Sequence, residues 1–276
     1  MRIALAQIDV KLGDVPGNLA RAAEQIDAAV ADGAGLVVFP ELALSGFALG
    51  AATGETRLAA DDDRLLALGR RGAEVVIGFH ELGPHGRPYN SSVWLGASGA
   101  RHLQRKLYLP NYGPFEERKH ALPGQGVRAF ETPLGRAAML VCADAWQPVI
   151  PWLAAQDGAR VLVVIANSAD GAGRIDIRAS WDDLLRATAR LLQVTVVYVN
   201  RVGDEQGSRF RGGSHILDPW GGIVAQAPEW NEALVACEVD LAAVDEARGE
   251  MPLVREARLD LVAREVARLV DEGGDR

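Results

Sequence analysis

The sequence predicts a layered α/β protein, and three observations support this prediction. Short apolar segments of strand length alternate with segments of helical periodicity through the first two thirds of the chain. No Pro/Gly/Ser-rich linker and no repeat divides the 276 residues. The composition, 49% hydrophobic and 24% charged, is typical of a globular protein with a sizeable core. We therefore predict a single domain over residues 1–270 and a disordered tail over 271–276.

The predicted elements follow this rhythm along the chain. A strand at 3–8 leads to a helix at 19–31 and a second strand at 36–39. Further strands are predicted at 75–80, 92–96, 101–105, 136–141, 161–165 and 194–199, and helices at 149–156 and 176–192.

The last third of the chain has a different pattern. Short apolar segments at 213–218, 223–226 and 233–239 alternate with turn residues, which predicts an antiparallel hairpin that closes a sheet edge. The segment 254–270 places apolar residues at helical spacing among many charges. This predicts an amphipathic helix that packs on this domain or on a partner subunit.

Charge, hydropathy and cysteine content exclude several classes of function. A formal net charge of −8 argues against a nucleic-acid binder, which needs a basic surface. No apolar run approaches membrane-spanning length, and the N-terminus does not resemble a signal peptide, so we predict a cytoplasmic protein without a membrane partner. Cys142 and Cys237 are far apart and lack metal-ligand spacing. Cys237 falls inside a predicted strand, which favours a place in the core.

Cys142 stands where a nucleophile is expected in such a fold. It ends the apolar run 137–141, where a buried strand gives way to a turn and a helix. The positive end of a helix dipole there would lower the pKa of the thiol and favour the thiolate. The alternative is an inert cysteine that only fills space in the core. His215 is the candidate histidine partner, but it falls in a predicted strand, which favours packing.

Two charged residues also follow predicted strands. Glu41 comes after the apolar run 36–40, at the sheet edge where sites of α/β proteins gather, and a carboxylate there can act as a general base. Its alternative role is to cap the segment that follows. Lys106 ends the strand-like segment 101–105, where a cation can stabilise an oxyanion, although most lysines are surface groups. Glu117 lies in a charged run, which by itself indicates an exposed face.

Other common chemistries lack their sequence patterns. No Gly-x-Ser-x-Gly elbow is present, which disfavours an α/β-hydrolase serine. His80-Glu81 is not followed by a histidine at the zincin spacing, and Gly124-Gln125-Gly126 lacks the third glycine of a dinucleotide site. We therefore predict no metal and no cofactor.

Three segments, taken in order, resemble the signatures of the nitrilase superfamily, the carbon–nitrogen hydrolases. They are Phe39-Pro40-Glu41, Arg105-Lys106-Leu107-Tyr108-Leu109-Pro110 and Val141-Cys142-Ala143-Asp144. The similarity extends from the first strand to the late motifs at 200–203 and 212–221. It implies a four-layer αββα sandwich with two mixed sheets flanked by helices, and catalytic roles for Glu41, Lys106 and Cys142.

Within the superfamily, the loop 109–118 is similar to that of the glutaminase domains of glutamine-dependent NAD synthetases. The second glutamate of the family matches Glu117. Those domains usually have an acidic residue where this chain has Ala143. Because no synthetase portion follows, the resemblance favours a free-standing amidase.

The resemblance implies a thiol amidohydrolase that cleaves a small-molecule amide to a carboxylic acid and ammonia or an amine. Glu41 is the expected base, Cys142 the nucleophile that forms a thioester, and Lys106 the oxyanion stabiliser, with Glu117 as an orienting carboxylate. Hydrolysis of a nitrile or of an N-carbamoyl compound, and a glutaminase-like subunit or inactive module beside a partner protein, remain alternatives. A homodimer through helices beside the active site, or a higher homo-oligomer, is expected. Candidate substrate-binding residues are Tyr112, Phe115, Ala143, Trp146, Asn167 and Ser168, and candidate partners of a substrate carboxylate are Arg174, Arg178 and Arg209.

Overall fold

Two β-sheets stack face to face at the centre of the molecule. The computed structural model describes residues 1–52, 55–112, 116–170 and 175–273. The strands in these residues are β1 (Arg2–Gln7), β2 (Leu36–Val38), β3 (Arg57–Leu58), β4 (Glu74–Leu82), β5 (Pro88–Gly96), β6 (Gly99–Arg105), β7 (Phe130–Thr132), β8 (Gly135–Val141), β9 (Val161–Ala166), β10 (Thr195–Asn200), β11 (Val202–Glu205), β12 (Ser208–Arg211), β13 (His215–Leu217), β14 (Ile223–Gln226) and β15 (Ala233–Glu238). The helices are α1 (Val15–Ala31), α2 (Asp63–Leu68), α3 (Val149–Gln156), α4 (Ile177–Leu192), α5 (Ala243–Glu250) and α6 (Leu259–Asp271), with short 3₁₀ turns at Leu49–Ala51, Pro84–Gly86, Glu117–Lys119 and Cys142–Trp146.

Both sheets follow the same plan, a parallel centre with antiparallel edges. The first has the order β15-β1-β2-β4-β5-β6, with β3 beside β4, and its parallel centre is β1-β2-β4. The second has the order β14-β13-β10-β9-β8-β7, and its parallel centre is β8-β9-β10. Parallel strands end at the same sheet edge, so the segments that follow β2, β8 and β9 all emerge on one side.

Side-chain alternation along the strands produces three apolar layers. In β1, Ile3 and Leu5 point between the sheets, whereas Ala4 and Ala6 point to the layer that contains α1 and α2. The second sheet packs its outer face against α3 and α4 in the same way. The molecule is therefore an αββα sandwich of four layers, which confirms the predicted fold.

Helix α1 begins earlier than the hydrophobic pattern predicts. The Asp14 side chain caps it by accepting the backbone N–H of Gly17, and Pro16 in the first turn has the fixed φ that a helix needs. Its buried stripe includes Leu19 and Ile26. The cap residues are polar, so periodicity alone placed the start at residue 19, after the true first turn.

Two segments of the last third pair differently from the prediction. β13 and β14 form the expected antiparallel hairpin at a sheet edge, but β15 crosses to the first sheet and pairs antiparallel with β1. Alternation predicts that a segment is a strand and says nothing of its partner. The hairpin β11–β12 was not predicted, because its residues are mostly polar or charged. Cys237 lies in β15, partly buried beside the inter-sheet layer.

Helix α6 forms where an amphipathic helix is predicted, but none of its residues is buried. The expectation that it packs on this domain is wrong, and its packing on a partner remains a prediction. The chain beyond 273 lies outside the described residues, so the predicted tail is described only at 271–273, where Asp271 ends α6.

Candidate active site

Glu41 lies fully buried in the turn that follows β2. The next residue, Leu42, has a φ of 48°, so the chain turns sharply here. Gly78 on β4 allows this close approach, because a Cβ atom at Gly78 would lie 2.6 Å from the Cα atom of Glu41. The sequence thus places a carboxylate in the gap between the two sheets.

Three N–H groups hold the carboxylate of Glu41. Its Oε1 atom accepts hydrogen bonds from Asn90 Nδ2 and from Lys106 Nζ, each at 2.7 Å. Its Oε2 atom accepts the backbone N–H of Asn167, also at 2.7 Å. Because Asn90 belongs to the first sheet and Asn167 follows β9 of the second, Glu41 ties the two sheets together at their common edge.

Lys106 directly follows β6 and is completely buried. Its Nζ atom donates to Glu41 and to Glu117 Oε1, each at 2.7 Å. Burial by itself would lower the pKa of Lys106, but the charges of Glu41 and Glu117 outweigh burial and hold the pKa well above its usual value. Lys106 is therefore a permanent cation, and we call Glu41, Lys106 and Glu117 the buried ionic cluster.

Glu117 turns inward from a charged segment whose neighbours are exposed. Glu116 and Lys119 pair with each other at 2.6 Å on the surface, as the charged run predicts, whereas the Glu117 side chain is only 12% exposed. Burial raises the pKa of Glu117, and the charge of Lys106 opposes that rise. The prediction of an exposed face is wrong for Glu117 because a buried cation holds it inside.

Cys142 lies where β8 ends and the 3₁₀ turn Cys142–Trp146 begins. Its φ of 48° is unusual for a residue with a side chain and is a strained conformation found at functional sites. The residue as a whole is partly exposed. Burial, together with the negative charge of Glu41, raises the pKa of the Cys142 thiol, while Lys106 lowers it.

The predicted lowering of the thiol pKa by a helix dipole is therefore wrong. The turn after Cys142 is a short 3₁₀ segment, and helix α3 starts only at Val149. Desolvation and the nearby carboxylate outweigh such a weak dipole. The thiol is protonated at rest, and a base must accept its proton before it can attack.

Asp144 is a site residue that sequence reasoning missed. It is fully buried, and its Oδ1 atom accepts the backbone N–H groups of Leu107 and Tyr108, each at 2.9 Å, while Oδ2 accepts that of Val141 at 3.2 Å. Burial raises the pKa of Asp144 to about 7, against these hydrogen bonds. The Asp144 clamp fixes the chain on either side of Cys142 to the chain after Lys106. Its position two residues after the cysteine was the available signal.

Several buried polar atoms beside Glu41 have no hydrogen-bond partner in the described part of the chain. They are Asn90 Oδ1, Glu117 Oε2, and both Oδ1 and Nδ2 of Asn167. An unpaired buried polar atom costs about 1–3 kcal/mol, so a group of them at one place is characteristic of a functional site. Asn90 is a second residue that the sequence reasoning did not select.

The predicted substrate-binding residues fall in three places. Ala143 follows Cys142, and Trp146 ends the same turn, 37% exposed. The backbone of Asn167 contacts Glu41, and the Ser168 hydroxyl accepts the indole N–H of Trp181 at 2.8 Å. Tyr112 is 69% exposed on the loop after Lys106. The predicted residues Phe115 and Arg174 lie outside the described residues.

The remaining arginine candidates have acidic partners. Arg178 Nε lies 2.8 Å from Glu229, and Arg209 lies 3.9 Å from Asp204 and stacks on Trp230. Within the described ranges, no group of three or more His, Cys, Asp or Glu side chains is arranged to hold a metal ion. The same residues contain no helix with the length and apolar character to span a membrane.

The chain is similar to several known proteins. Residues 2–249 match the carbon-nitrogen hydrolase family. An (R)-stereoselective amidase of a Pseudomonas species is 34% identical over 270 residues, covering 95% of this chain and 93% of the amidase. The solved structure of a variant amidase of Nesterenkonia sp. AN1 carries the acetamide moiety of fluoroacetamide covalently added at its active-site cysteine. It superimposes with a TM-score of 0.80 at 25% identity, covering 96% of each chain.

A glutamine-dependent NAD(+) synthetase of Thermotoga maritima is 28% identical over 248 residues, which is 87% of this chain and 42% of the synthetase. The chain therefore spans less than half the length of that relative. The chain belongs to the carbon–nitrogen hydrolase family, which confirms the prediction from the three motifs. It is accordingly a hydrolase that acts on non-peptide carbon–nitrogen bonds.

Proposed function

We propose that the protein is a thiol amidohydrolase that cleaves a small-molecule amide through a thioester on Cys142. One observation supports this most strongly. A buried lysine bridges two carboxylates beside a partly exposed, strained cysteine whose thiol is protonated at rest. A cluster of this kind supplies a base, an oxyanion partner and a nucleophile within one site.

The first half of the reaction forms the thioester. Glu41 accepts the thiol proton while the sulfur bonds to the amide carbon and the carbonyl electrons move to oxygen. Lys106 and the backbone N–H of Ala143 stabilise the resulting oxyanion, and removal of one such donor typically costs about 10²–10³ in rate. The C–N bond then breaks, and the leaving amine takes the proton from Glu41.

The second half releases the acid. Water attacks the thioester carbon and gives a proton to Glu41, and the carbon–sulfur bond breaks. The proton returns to the sulfur, so the resting thiol is restored. Glu117 positions Lys106 and leaves its Oε2 atom available to water or substrate.

The two cysteines of the chain provide the test. Cys142→Ala is expected to lower ammonia release from a panel of small amides by about 10⁴-fold or more, because no other thiol lies at the site. Cys237→Ala, on the far strand β15, is the matched control and should keep full activity. Addition of hydroxylamine should divert the thioester to a hydroxamate in the wild type and in Cys237→Ala, but not in Cys142→Ala. Substantial turnover by Cys142→Ala would contradict the proposal.

The same panel separates the alternatives. Ammonia release from a nitrile, or carbon dioxide and ammonia from an N-carbamoyl compound, would replace the amidase assignment. The similarity to the NAD synthetase favours glutamine as a second candidate substrate, with a partner synthetase. A purified complex whose partner switches on glutamine hydrolysis would support that candidate.

We also propose a homodimer through α3, where Val149 and Leu153 are 44% and 41% exposed. Analytical ultracentrifugation, which measures the mass of the particle in solution, tests this proposal.

A further inference from the structure

A cleft lies beside the buried ionic cluster, on the helix side of the second sheet. Its wall includes Ser168, Trp181, Asp182 and Tyr198, and we call it the Asp182 cleft. Ser168 is adjacent in sequence to Asn167, whose backbone N–H binds Glu41. One residue thus contacts the cluster and the next lines the cleft.

Two further contacts connect the Asp182 cleft to the nucleophile. The ring of Trp181 meets that of Trp146 edge-on, with centroids 5.4 Å apart, and Trp146 belongs to the turn that Cys142 begins. Burial raises the pKa of Tyr198, and a thiolate at Cys142 would raise it further, so the phenol lies within electrostatic reach of the sulfur. The cleft is therefore placed to receive the acyl part of a substrate whose amide carbon is at Cys142.

The arginines that line the cleft have acidic partners, whereas Asp182 has no ion-pair partner among the described residues. Arg178 contacts Glu229 at 2.8 Å, and Arg211 contacts Asp170 at 2.8 Å and Glu229 at 3.5 Å. The side chain of Asp182 has no ion pair or hydrogen bond with a described residue, because Arg178, one helical turn before it on α4, pairs with Glu229, and Arg186, one turn after it, donates to the carbonyl oxygen of Gly221.

The wall therefore has neutralised arginines and one available carboxylate. A substrate carboxylate would have to displace Glu229 from Arg178, so the predicted role of Arg178 as an anion partner is disfavoured. A cation meets no such competition at Asp182.

The aromatic residues around Asp182 fit the same ligand. Trp181 and Tyr198 are almost fully buried and pack against each other, with ring centroids 4.9 Å apart, so they form an uncharged aromatic wall beside Asp182. His215 packs on Tyr198 at 5.2 Å, and burial lowers its pKa, so it is neutral near pH 7 and does not repel a cation. A carboxylate beside an uncharged aromatic wall suits an ammonium group, because no neighbouring cation of the wall repels it.

We propose that the Asp182 cleft binds the acyl part of the substrate through a protonated amine, so that the enzyme prefers amino amides. Asp182 accepts the ammonium N–H, and the aromatic wall of Trp181 and Tyr198 bounds the site. This inference rests on the proposed amidase function and adds a substrate class to it. In this proposal, α4 recognises the charge of the substrate, and the buried ionic cluster carries out the reaction.

A pair of substrates with nearly equal shape isolates the charge. 4-Aminobutanamide carries an ammonium group where pentanamide carries a methyl group. The wild type should show the higher kcat/KM for the cationic amide, and Asp182→Asn should lower the ratio of the two values by about tenfold, as expected for a hydrogen bond to a charged group. Asp183→Asn removes the same charge from the exposed neighbour on α4 and should leave the ratio unchanged.

A binding measurement keeps this test independent of turnover. Calorimetry with butylammonium chloride at constant ionic strength should show binding to the wild type and to Asp183→Asn, and an affinity about tenfold weaker for Asp182→Asn. Butanol, the uncharged analogue, should bind all three equally. If this pattern of butylammonium affinities were found but no amide were hydrolysed, the amidase proposal would be refuted and the cleft assignment would stand. Equal butylammonium affinities for Asp182→Asn and the wild type, or a wild-type preference for pentanamide, would overturn the assignment.

Discussion

Two ionic groups of the molecule have centres of opposite charge, a shared cation in one and a shared carboxylate in the other. In the buried ionic cluster one cation, Lys106, bridges two carboxylates at 2.7 Å each. At the rim of the Asp182 cleft one carboxylate, Glu229, bridges Arg178 at 2.8 Å and Arg211 at 3.5 Å. Lys106 has no exposed surface, whereas the Arg178 side chain is 51% exposed.

This difference in burial decides what each group contributes to the protein. Exposed ion pairs are screened by water and contribute about 0–1 kcal/mol, whereas removal of one partner of a buried pair costs about 3–5 kcal/mol. The buried ionic cluster must therefore be complete for the fold to be stable. The rim of the cleft can change its charge with little effect on the fold, and selectivity can change there without disturbing the chemistry.

The largest effect on this comparison is expected for Lys106→Met. The substitution leaves Glu41 and Glu117 buried without their cation, so the free energy of unfolding should fall by about 3–5 kcal/mol at pH 7. The deficit should shrink as the pH falls, because protonated carboxyl groups need no counterion. Ammonia release should also fall by about 10²–10³. Urea unfolding followed by circular dichroism measures the stability.

Lys119→Met is the matched control for this change. Lys119 also pairs with a glutamate at 2.6 Å, but its side chain is 62% exposed. Its loss should change the free energy of unfolding by less than about 1 kcal/mol. Equal losses in the two variants would show that burial does not separate the two kinds of ion pair.

An intermediate effect is expected for Asp144→Asn, which tests whether the Asp144 clamp stabilises the chain beside Lys106 and Cys142. An amide nitrogen cannot accept the N–H of Val141, so the substitution should cost about 1–3 kcal/mol at low pH. Because burial raises the pKa of Asp144 from 3.8 to about 7, the folded protein binds a proton that the unfolded chain releases. The stabilisation that Asp144 contributes to the wild type is thus complete below about pH 4 and is lost as the pH rises to about 7.

The asparagine variant does not titrate at this position, so its disadvantage should shrink or reverse between about pH 4 and pH 7, by at most about 4 kcal/mol. Urea unfolding across this range measures the difference. Asp218→Asn serves as control, since Asp218 accepts two backbone N–H groups in a surface turn. If the difference in free energy of unfolding between the wild type and Asp144→Asn stayed constant with pH, the assigned pKa would be wrong.

The smallest effect is expected for Glu229→Gln. The substitution removes the shared carboxylate of two partly exposed arginines, so the free energy of unfolding should change by less than about 1 kcal/mol. The same unfolding assay measures it. A loss as large as that of Lys106→Met would mean that the rim is as essential to the fold as the buried ionic cluster.

The sequence was most informative where a single strand carries the signal. Continuous apolar runs correctly predicted β9 and β10, and the position of Glu41, Lys106 and Cys142 after predicted strands anticipated that the structure brings them to one edge. Parallel strands ending together make this inference possible. No long-range contact has to be known for it.

The rest of the site depends on contacts between distant segments. Asn90 and Glu41 are 49 residues apart, and Asp144 reaches back 37 residues to Leu107, so no local pattern indicates either contact. The thiol pKa was predicted in the wrong direction because the helix dipole is visible in the sequence while desolvation is not. Glu117 looked exposed for the same reason.

The pairing of β15 with β1 has a consequence for how this chain acquires its structure. Arg2 aligns with Glu238, so β1 is synthesised long before β15, the strand that covers its outer edge. Contacts between residues so far apart slow folding, and an unpaired strand edge can associate with another chain. A nascent or truncated chain that ends before Ala233 therefore leaves the outer edge of β1 unpaired and open to association with other chains.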